Sequence, residues 1–169
     1  GAFNYTLLVQ PSAGVQRVIS NSANITTGTV LIRINADVDN TIDGRFAGAG
    51  QFLLFRNTNT NANNTGGTIS YTNITAAKQS ILQYAVIENN TNAVLIGNVI
   101  IGVGTNKVNI NNCRIGDATG GNINYTRGGI YVTGGTDNYV NIQNNEIYNF
   151  LDTGVYLSGS ADVCIISGN

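Results

Sequence analysis

Two eight-residue stretches of this chain superimpose without a gap. Val108-Asn-Ile110-Asn-Asn-Cys113-Arg-Ile115 aligns on Val140-Asn-Ile142-Gln-Asn-Asn145-Glu-Ile147. Ser80-Ile-Leu82-Gln-Tyr-Ala85-Val-Ile87 is a looser copy, and Val163-Cys-Ile165-Ile-Ser-Gly168-Asn169 fits the same frame until the sequence stops. The copies begin at 80, 108, 140 and 163, so they lie 28, 32 and 23 residues apart. A unit recurring at a spacing of roughly 20–50 residues marks a repeat architecture. A shorter unit recurs between the copies, as Asn92-Ala-Val94-Leu-Ile96-Gly97, Gly129-Ile-Tyr131-Val-Thr-Gly134 and Gly154-Val-Tyr156-Leu-Ser-Gly159.

The residues filling these units favour strands. The 169 residues include 27 Asn, 21 Gly, 20 Ile, 18 Thr and 14 Val. Ile, Val and Thr are stiff at χ1 and suit a pleated strand. Helix formers such as Ala, Leu, Lys and Glu are scarce, and no stretch has helical period and length. Short β-branched runs at 6–9, 30–34, 52–55, 81–87, 93–96, 108–115, 130–133, 140–147, 155–158 and 163–166 are the candidate strands, each bounded by Asn, Gly, Asp or Ser. The aliphatic content is enough to offset chain entropy, which separates this sequence from a disordered Asn-rich tract.

Strands this short bury no face alone. Stacked in parallel, one coil per repeat, each pairs its backbone with the coil above and below at ~4.8 Å. Positions 1, 3, 6 and 8 of the long unit then point into a narrow core. The sixth position holds Ala85, Cys113, Asn145 and Gly168, as expected of a tight turn where an inward Asn bonds neighbouring backbone. The expected fold is an all-β parallel β-helix solenoid over residues 1–169, with short strands, irregular loops and an uncapped last repeat. It reads as one segment of a longer modular chain, and residues 118–128 are the largest loop for display of function. The frame requires Ile110, Ile142 and Ile165 to stand in one column.

Charge and cysteine content narrow the function classes. Seventeen charged residues with a net charge of −1 leave no basic patch for a nucleic-acid backbone or an anionic membrane. No apolar run approaches the ~20 residues of a membrane span, so neither nucleic acid nor direct membrane insertion is expected. No signal peptide is visible, so any targeting segment has been removed. The frame points Cys113 inward and Cys164 outward at the second position, two coils and ~10 Å apart. A disulfide needs Cα atoms within ~7 Å, so both thiols are expected to be free. With no His, no metal-type Cys spacing and no phosphate-cradling Gly loop ahead of a helix, no metal or cofactor is expected.

The N-terminal part carries a family likeness. Tyr5-Thr-Leu-Leu-Val-Gln-Pro11-Ser-Ala-Gly14-Val is followed by Leu31-Ile-Arg-Ile-Asn35-Ala-Asp37, then Asn40-Thr-Ile42-Asp43-Gly44, then Leu53-Leu-Phe-Arg-Asn57-Thr-Asn59-Thr60. This resembles the right-handed parallel β-helix repeat proteins secreted by Bacteroidota, often as type IX secretion cargo, and the downstream coils resemble the same family's repeats. The resemblance covers most of the chain. It implies a right-handed β-helix in a secreted or cell-surface protein, bacterial and modular. Its partners would be polysaccharide or neighbouring domains of the same long chain. The family supplies no shared catalytic motif.

Candidates for chemistry are few. A polygalacturonase-like hydrolase would show clustered aspartates with a His and an Arg-x-Lys, and this sequence has no His, no paired Asp-Asp and no such basic tripeptide. Asp37-Val-Asp39-Asn40-Thr-Ile-Asp43-Gly44 lacks the alternating spacing of a calcium loop and reads as turn-forming Asx residues. Asp117 and Asp152 each follow a long-unit strand and are the candidate catalytic pair for glycoside cleavage, at unequal offsets from their core Ile. Arg114 and Glu146 share the outward seventh position and should pair across coils. Tyr131 and Tyr156 share one position of the short unit. Facing outward they would form a ladder for sugar rings, facing inward they would be core, and core or half-buried stacking is the favoured reading. Tyr125 and Arg127 would extend that surface. The leading expectation is a non-enzymatic β-helix segment, a rigid spacer or an adhesin-like surface with carbohydrate binding as one form of adhesion. The alternative is a polysaccharide-acting hydrolase or lyase using the loop carboxylates.

Overall fold

The computed structural model describes residues 6–21, 30–35, 38–58, 66–74, 78–89, 97–102, 104, 107–117, 129–133, 139–150, 152–158 and 163–169. Among them the chain is a parallel β-helix solenoid of three sheets. The first contains β1 (Thr6–Val9), β4 (Asp39–Asp43), β7 (Ser80–Gln83), β10 (Lys107–Asn111), β13 (Tyr139–Gln143) and β16 (Val163–Ser167). The second contains β2 (Arg17–Ser20), β5 (Leu53–Asn57), β8 (Ala85–Asn89), β11 (Arg114–Asp117) and β14 (Glu146–Ile147). The third contains β3 (Ile32–Asn35), β6 (Ile69–Thr72), β9 (Val99–Ile101), β12 (Ile130–Val132) and β15 (Val155–Leu157). Every third strand joins the same sheet, so each circuit of the chain visits all three.

The 108 and 140 copies stack as the sequence requires. Val108 pairs with Val140 and Ile110 with Ile142, and Ile115 pairs with Ile147 on the next sheet. The column Ile42, Leu82, Ile110, Ile142 continues through the first sheet. Phe55, Ile87 and Ile115 form the matching column of the second, and all three are fully buried. Ile69, Val99 and Ile130 form that of the third. One continuous cluster runs from Ile34 to Ile142. Each fully buried aliphatic side chain contributes ~1.5–3 kcal/mol over its exposed form.

Each long unit is two strands with a corner between them, where the sequence suggested one. The corner residue is the fifth of the frame: Tyr84, Asn112, Asn144 and Gly168 have φ of 51, 54, 55 and 66°. That left-handed residue turns the chain onto the next sheet. It also shifts the inward parity from positions 1 and 3 to positions 6 and 8. At the equivalent place below, Gly44 is obligatory, because a Cβ there would lie 1.8 Å from the Tyr84 carbonyl oxygen. The sixth position is the amide ladder anticipated above. Asn145 Oδ1 accepts from Cys113 N at 2.9 Å and its Nδ2 donates to Ile110 O at 2.9 Å.

Three register expectations are corrected. Val140 pairs with Cys164, and Ile142 with Ile166, so the last copy sits one residue later than the frame from Val163. Ile166, not Ile165, tops the column, and Cys164 packs against the core rather than pointing outward. Asn169, not Gly168, takes the sixth position and donates Nδ2 to Ile142 O at 3.0 Å. In the third sheet, Ile130 and Tyr131 stack on Val99 and Ile100, so the short-unit partner is β9. The candidate strand 93–96 lies outside the described residues. Strands β2, β4, β6 and β9 had no counterpart among the candidates. Each is only three to five residues long, too short for alternation to stand out from neighbouring turns.

At the outer coils, the edge strands are the most open. Leu7, Leu8 and Val18 are exposed at one end, and Val163, Ile165 and Ile166 at the other.

Candidate functional site

Tyr131 and Tyr156 form a rung on the outer face of the third sheet. Their neighbours Ile130 and Val132 are fully buried, and alternation along β12 therefore turns Tyr131 outward. Both tyrosines are half-buried and pair in register. Their ring centroids are 5.8 Å apart with planes tilted by 48°, within the ~4.5–7 Å range of attractive aromatic pairs. The pair is thus half-buried stacking on the outside of the solenoid. Tyr125, Arg127 and the whole of the 118–128 loop lie outside the described residues.

Asp117 and Asp152 occupy different surroundings. Asp117 is the last residue of β11, 3% exposed, and pairs in register with Asn89, which itself pairs with Asn57. Asp152 is exposed, between β14 and β15. No rung of strand pairing contains both.

The outer face of the second sheet carries a charged strip. Arg114 Nε donates to Glu146 Oε2 at 2.6 Å, which is the cross-coil pair expected from their shared seventh position. The hydrogen bond from Arg114 lowers the Glu146 carboxyl and, with the Arg114 charge, outweighs the opposing effect of burial, so its pKa lies below the ordinary value. Below them, Arg56 donates to Glu88 Oε2 at 2.9 and 2.6 Å. Tyr148 joins the two pairs: its hydroxyl donates to Glu88 Oε1 at 3.3 Å, and the Arg114 guanidinium lies 5.2 Å from its ring centroid. The ring crosses directly over Gly116, where a Cβ would meet it at 2.8 Å. Burial and the Glu88 charge push the phenol up to about 12, so it remains a neutral donor.

A recess of about 390 Å³ opens where the first sheet turns into the second on the two lowest coils. In the three coils above, this corner is tight; here the connections are longer, over residues 10–16 and 44–52. Gln10, Pro11, Asp43, Arg45, Phe46, Ala47 and Gly48 line the recess. Asp43, on β4, accepts from Arg45 N and Nε at 3.0 and 2.9 Å through Oδ1. Its Oδ2 accepts from Arg45 Nη2 at 2.7 Å and from Gln83 Nε2 at 2.9 Å. Burial alone would raise the Asp43 pKa, but these bonds and the Arg45 charge outweigh it and hold the carboxyl below its ordinary value. The guanidinium also lies over the Tyr84 ring, 4.4 Å from its centroid. Sequence reasoning took Asp43 for a turn former and did not single out Arg45 or Phe46. The available signal was Asn40-Thr-Ile42-Asp43-Gly44, a fifth copy of the frame broken by an insertion after its corner glycine.

Both cysteines are free. Cys113 is buried, and burial pushes its thiol up to about 12 against the pull of backbone hydrogen bonds. Its Sγ lies 3.6 Å from Leu82 O, the same third-position carbonyl that Asn145 and Asn169 reach one and two coils higher.

The chain matches no protein-family model, no curated protein and no solved structure.

Proposed function

We propose that this chain is an exported or cell-surface β-helix segment, a rigid spacer that presents an adhesive, glycan-binding surface. One observation carries the reading: in-register coils project Tyr131 and Tyr156 side by side from a strand face paired to its neighbour. Six coils at ~4.8 Å hold the first sheet's outermost strands about 24 Å apart. Because every coil is bonded to the next, the spacing is fixed by backbone rather than by linker composition. Half-buried tyrosines combine a flat apolar surface with a hydroxyl, which suits the mixed faces of a sugar ring. The low net charge and the family likeness described for residues 5–60 support an exported surface protein, in line with type IX secretion cargo. The hydrolase or lyase alternative would draw on Asp117 and Asp152, and their different surroundings give it no support.

Affinity electrophoresis of the full chain through gels containing neutral or acidic polysaccharides tests the proposal. Retardation by at least one polysaccharide, weakened in Tyr131→Ala or Tyr156→Ala, is the expected result. Appearance of reducing ends or unsaturated products, lost in Asp117→Asn or Asp152→Asn, would replace the adhesive reading with the enzymatic one.

A further inference from the structure

We infer that the recess at the lower corner, walled by Phe46 and floored by the Asp43–Arg45 pair, is a second carbohydrate subsite, selective for an uncharged sugar ring. It stands apart from the Tyr131–Tyr156 rung, which lies on the third sheet, whereas the recess lies where the first sheet turns into the second.

Three features of the recess point to this ligand class. The first is its size, about 390 Å³, at the small end of the ~300–1,000 Å³ range of ligand pockets and suited to a short saccharide. The second is its chemistry. Phe46 is 40% exposed, and the recess that it lines is also lined by residues with planar polar side chains, Asp43, Arg45 and Gln10. An apolar ring face beside planar donors and acceptors complements a pyranose, whose C–H face packs on an aromatic while its hydroxyls bond at the edge. One carboxylate and one guanidinium, bonded to each other, leave no net charge for a uronate or a phosphate to pair with.

The third is preorganisation. The Asp43 side chain is only 7% exposed, and four distinct donor atoms fix it. Arg45 is fixed by that carboxylate and by the Tyr84 ring. Tyr84 itself occupies the left-handed corner, with φ 51°, where the coils above use Asn112, Asn144 and Gly168. Those residue types adopt the region readily, and a bulky tyrosine does not. A strained aromatic at the one corner where its ring supports Arg45 is the pattern of a built site. The insertion is tied down as well: Gln51 Nε2 donates to Asn112 O at 2.8 Å, and Phe52 N donates to Gly44 O at 2.7 Å.

The test is a two-dimensional amide NMR titration of the full chain with cello-, manno-, xylo- and galacto-oligosaccharides and, separately, with oligogalacturonate. The expected result is that at least one neutral series shifts the amides of Gln10 and residues 45–48. Phe46→Ala should weaken that binding at least tenfold, and the Tyr131→Ala/Tyr156→Ala double variant should leave it unchanged. Phe46 is a surface ring, and an unchanged spectrum outside the corner verifies that its variant is folded. Shifts from oligogalacturonate alone, no shift at the corner from any probe, or full affinity in Phe46→Ala would each overturn the proposal. Shifts confined to Tyr131 and Tyr156 would sink the recess and leave the tyrosine rung standing. Shifts confined to the corner would do the reverse.

Discussion

The side-chain oxygen of Asn169 lies 2.9 Å from the backbone nitrogen of Asn145 and 2.9 Å from its Nδ2. One coil lower, Asn145 repeats the arrangement on Cys113. Each amide thus closes the corner of the coil beneath it, using groups that the turn leaves without a strand partner. Asn145→Ala would orphan Cys113 N inside the solenoid and remove the second donor to Ile110 O, and a buried unsatisfied group costs ~1–3 kcal/mol. A drop in stability of that order is expected in chemical denaturation. Cys113→Asn should extend the ladder by donating to Leu82 O, and its stability should equal or exceed that of the parent. A marked loss would show that the sixth position is filled by volume rather than by hydrogen bonding.

Core columns and close approaches should respond differently to the same small change. Ile110→Ala removes a fully buried side chain and should cost ~2–5 kcal/mol. Gly44→Ala adds one methyl against the Tyr84 carbonyl, where backbone must move. Its loss should reach or exceed the upper end of the ~1–3 kcal/mol usual for overpacking. Ala at the half-exposed neighbour Asn109 should change little. Equal midpoints for Ile110→Ala and Asn109→Ala would contradict the inward assignment.

Acid should loosen the lower corner before the rest. The Asp43 carboxyl is held below its ordinary value of 3.8, so its stabilising effect is fully present above that value. It is lost as pH falls through the depressed folded value, because protonation removes the acceptor of the Arg45 and Gln83 hydrogen bonds. NMR signals of residues 43–52 should therefore hold between pH 5 and 7 and change below about 4. Asp43→Asn should remove that titration. Titration in the raised direction, above the ordinary carboxylate range, would refute the bonded geometry.

The two thiols should separate kinetically. Cys113 is fully enclosed, with its thiol pushed up to about 12, whereas Cys164 is half-exposed and raised only by partial burial. In the native protein at pH 8, a disulfide reagent should label Cys164 and leave Cys113 untouched until denaturant is added, because the thiolate is the reacting species. Mass spectrometry of the labelled peptides gives the answer directly. Prompt labelling of Cys113 would mean that the core opens at that coil.

The sequence alone determined the stacking of coils and their inward pattern. Val108, Ile110 and Ile115 match Val140, Ile142 and Ile147 residue for residue, and side chains that must enclose one narrow core repeat only when the backbone repeats. The Arg114–Glu146 pair followed from the same frame. The tertiary structure decided what local pattern leaves degenerate. Val163-Cys-Ile-Ile is apolar at both parities, so its register is set from outside. The one-residue shift puts Gly168 in the left-handed corner and brings Asn169 onto Asn145, and the unshifted frame forfeits both. The recess was hidden for a related reason. Gln10, Asp43 and Tyr84 lie on three successive coils, far apart along the chain, and only parallel stacking brings an ordinary turn aspartate, a strained tyrosine and a surface arginine to one corner.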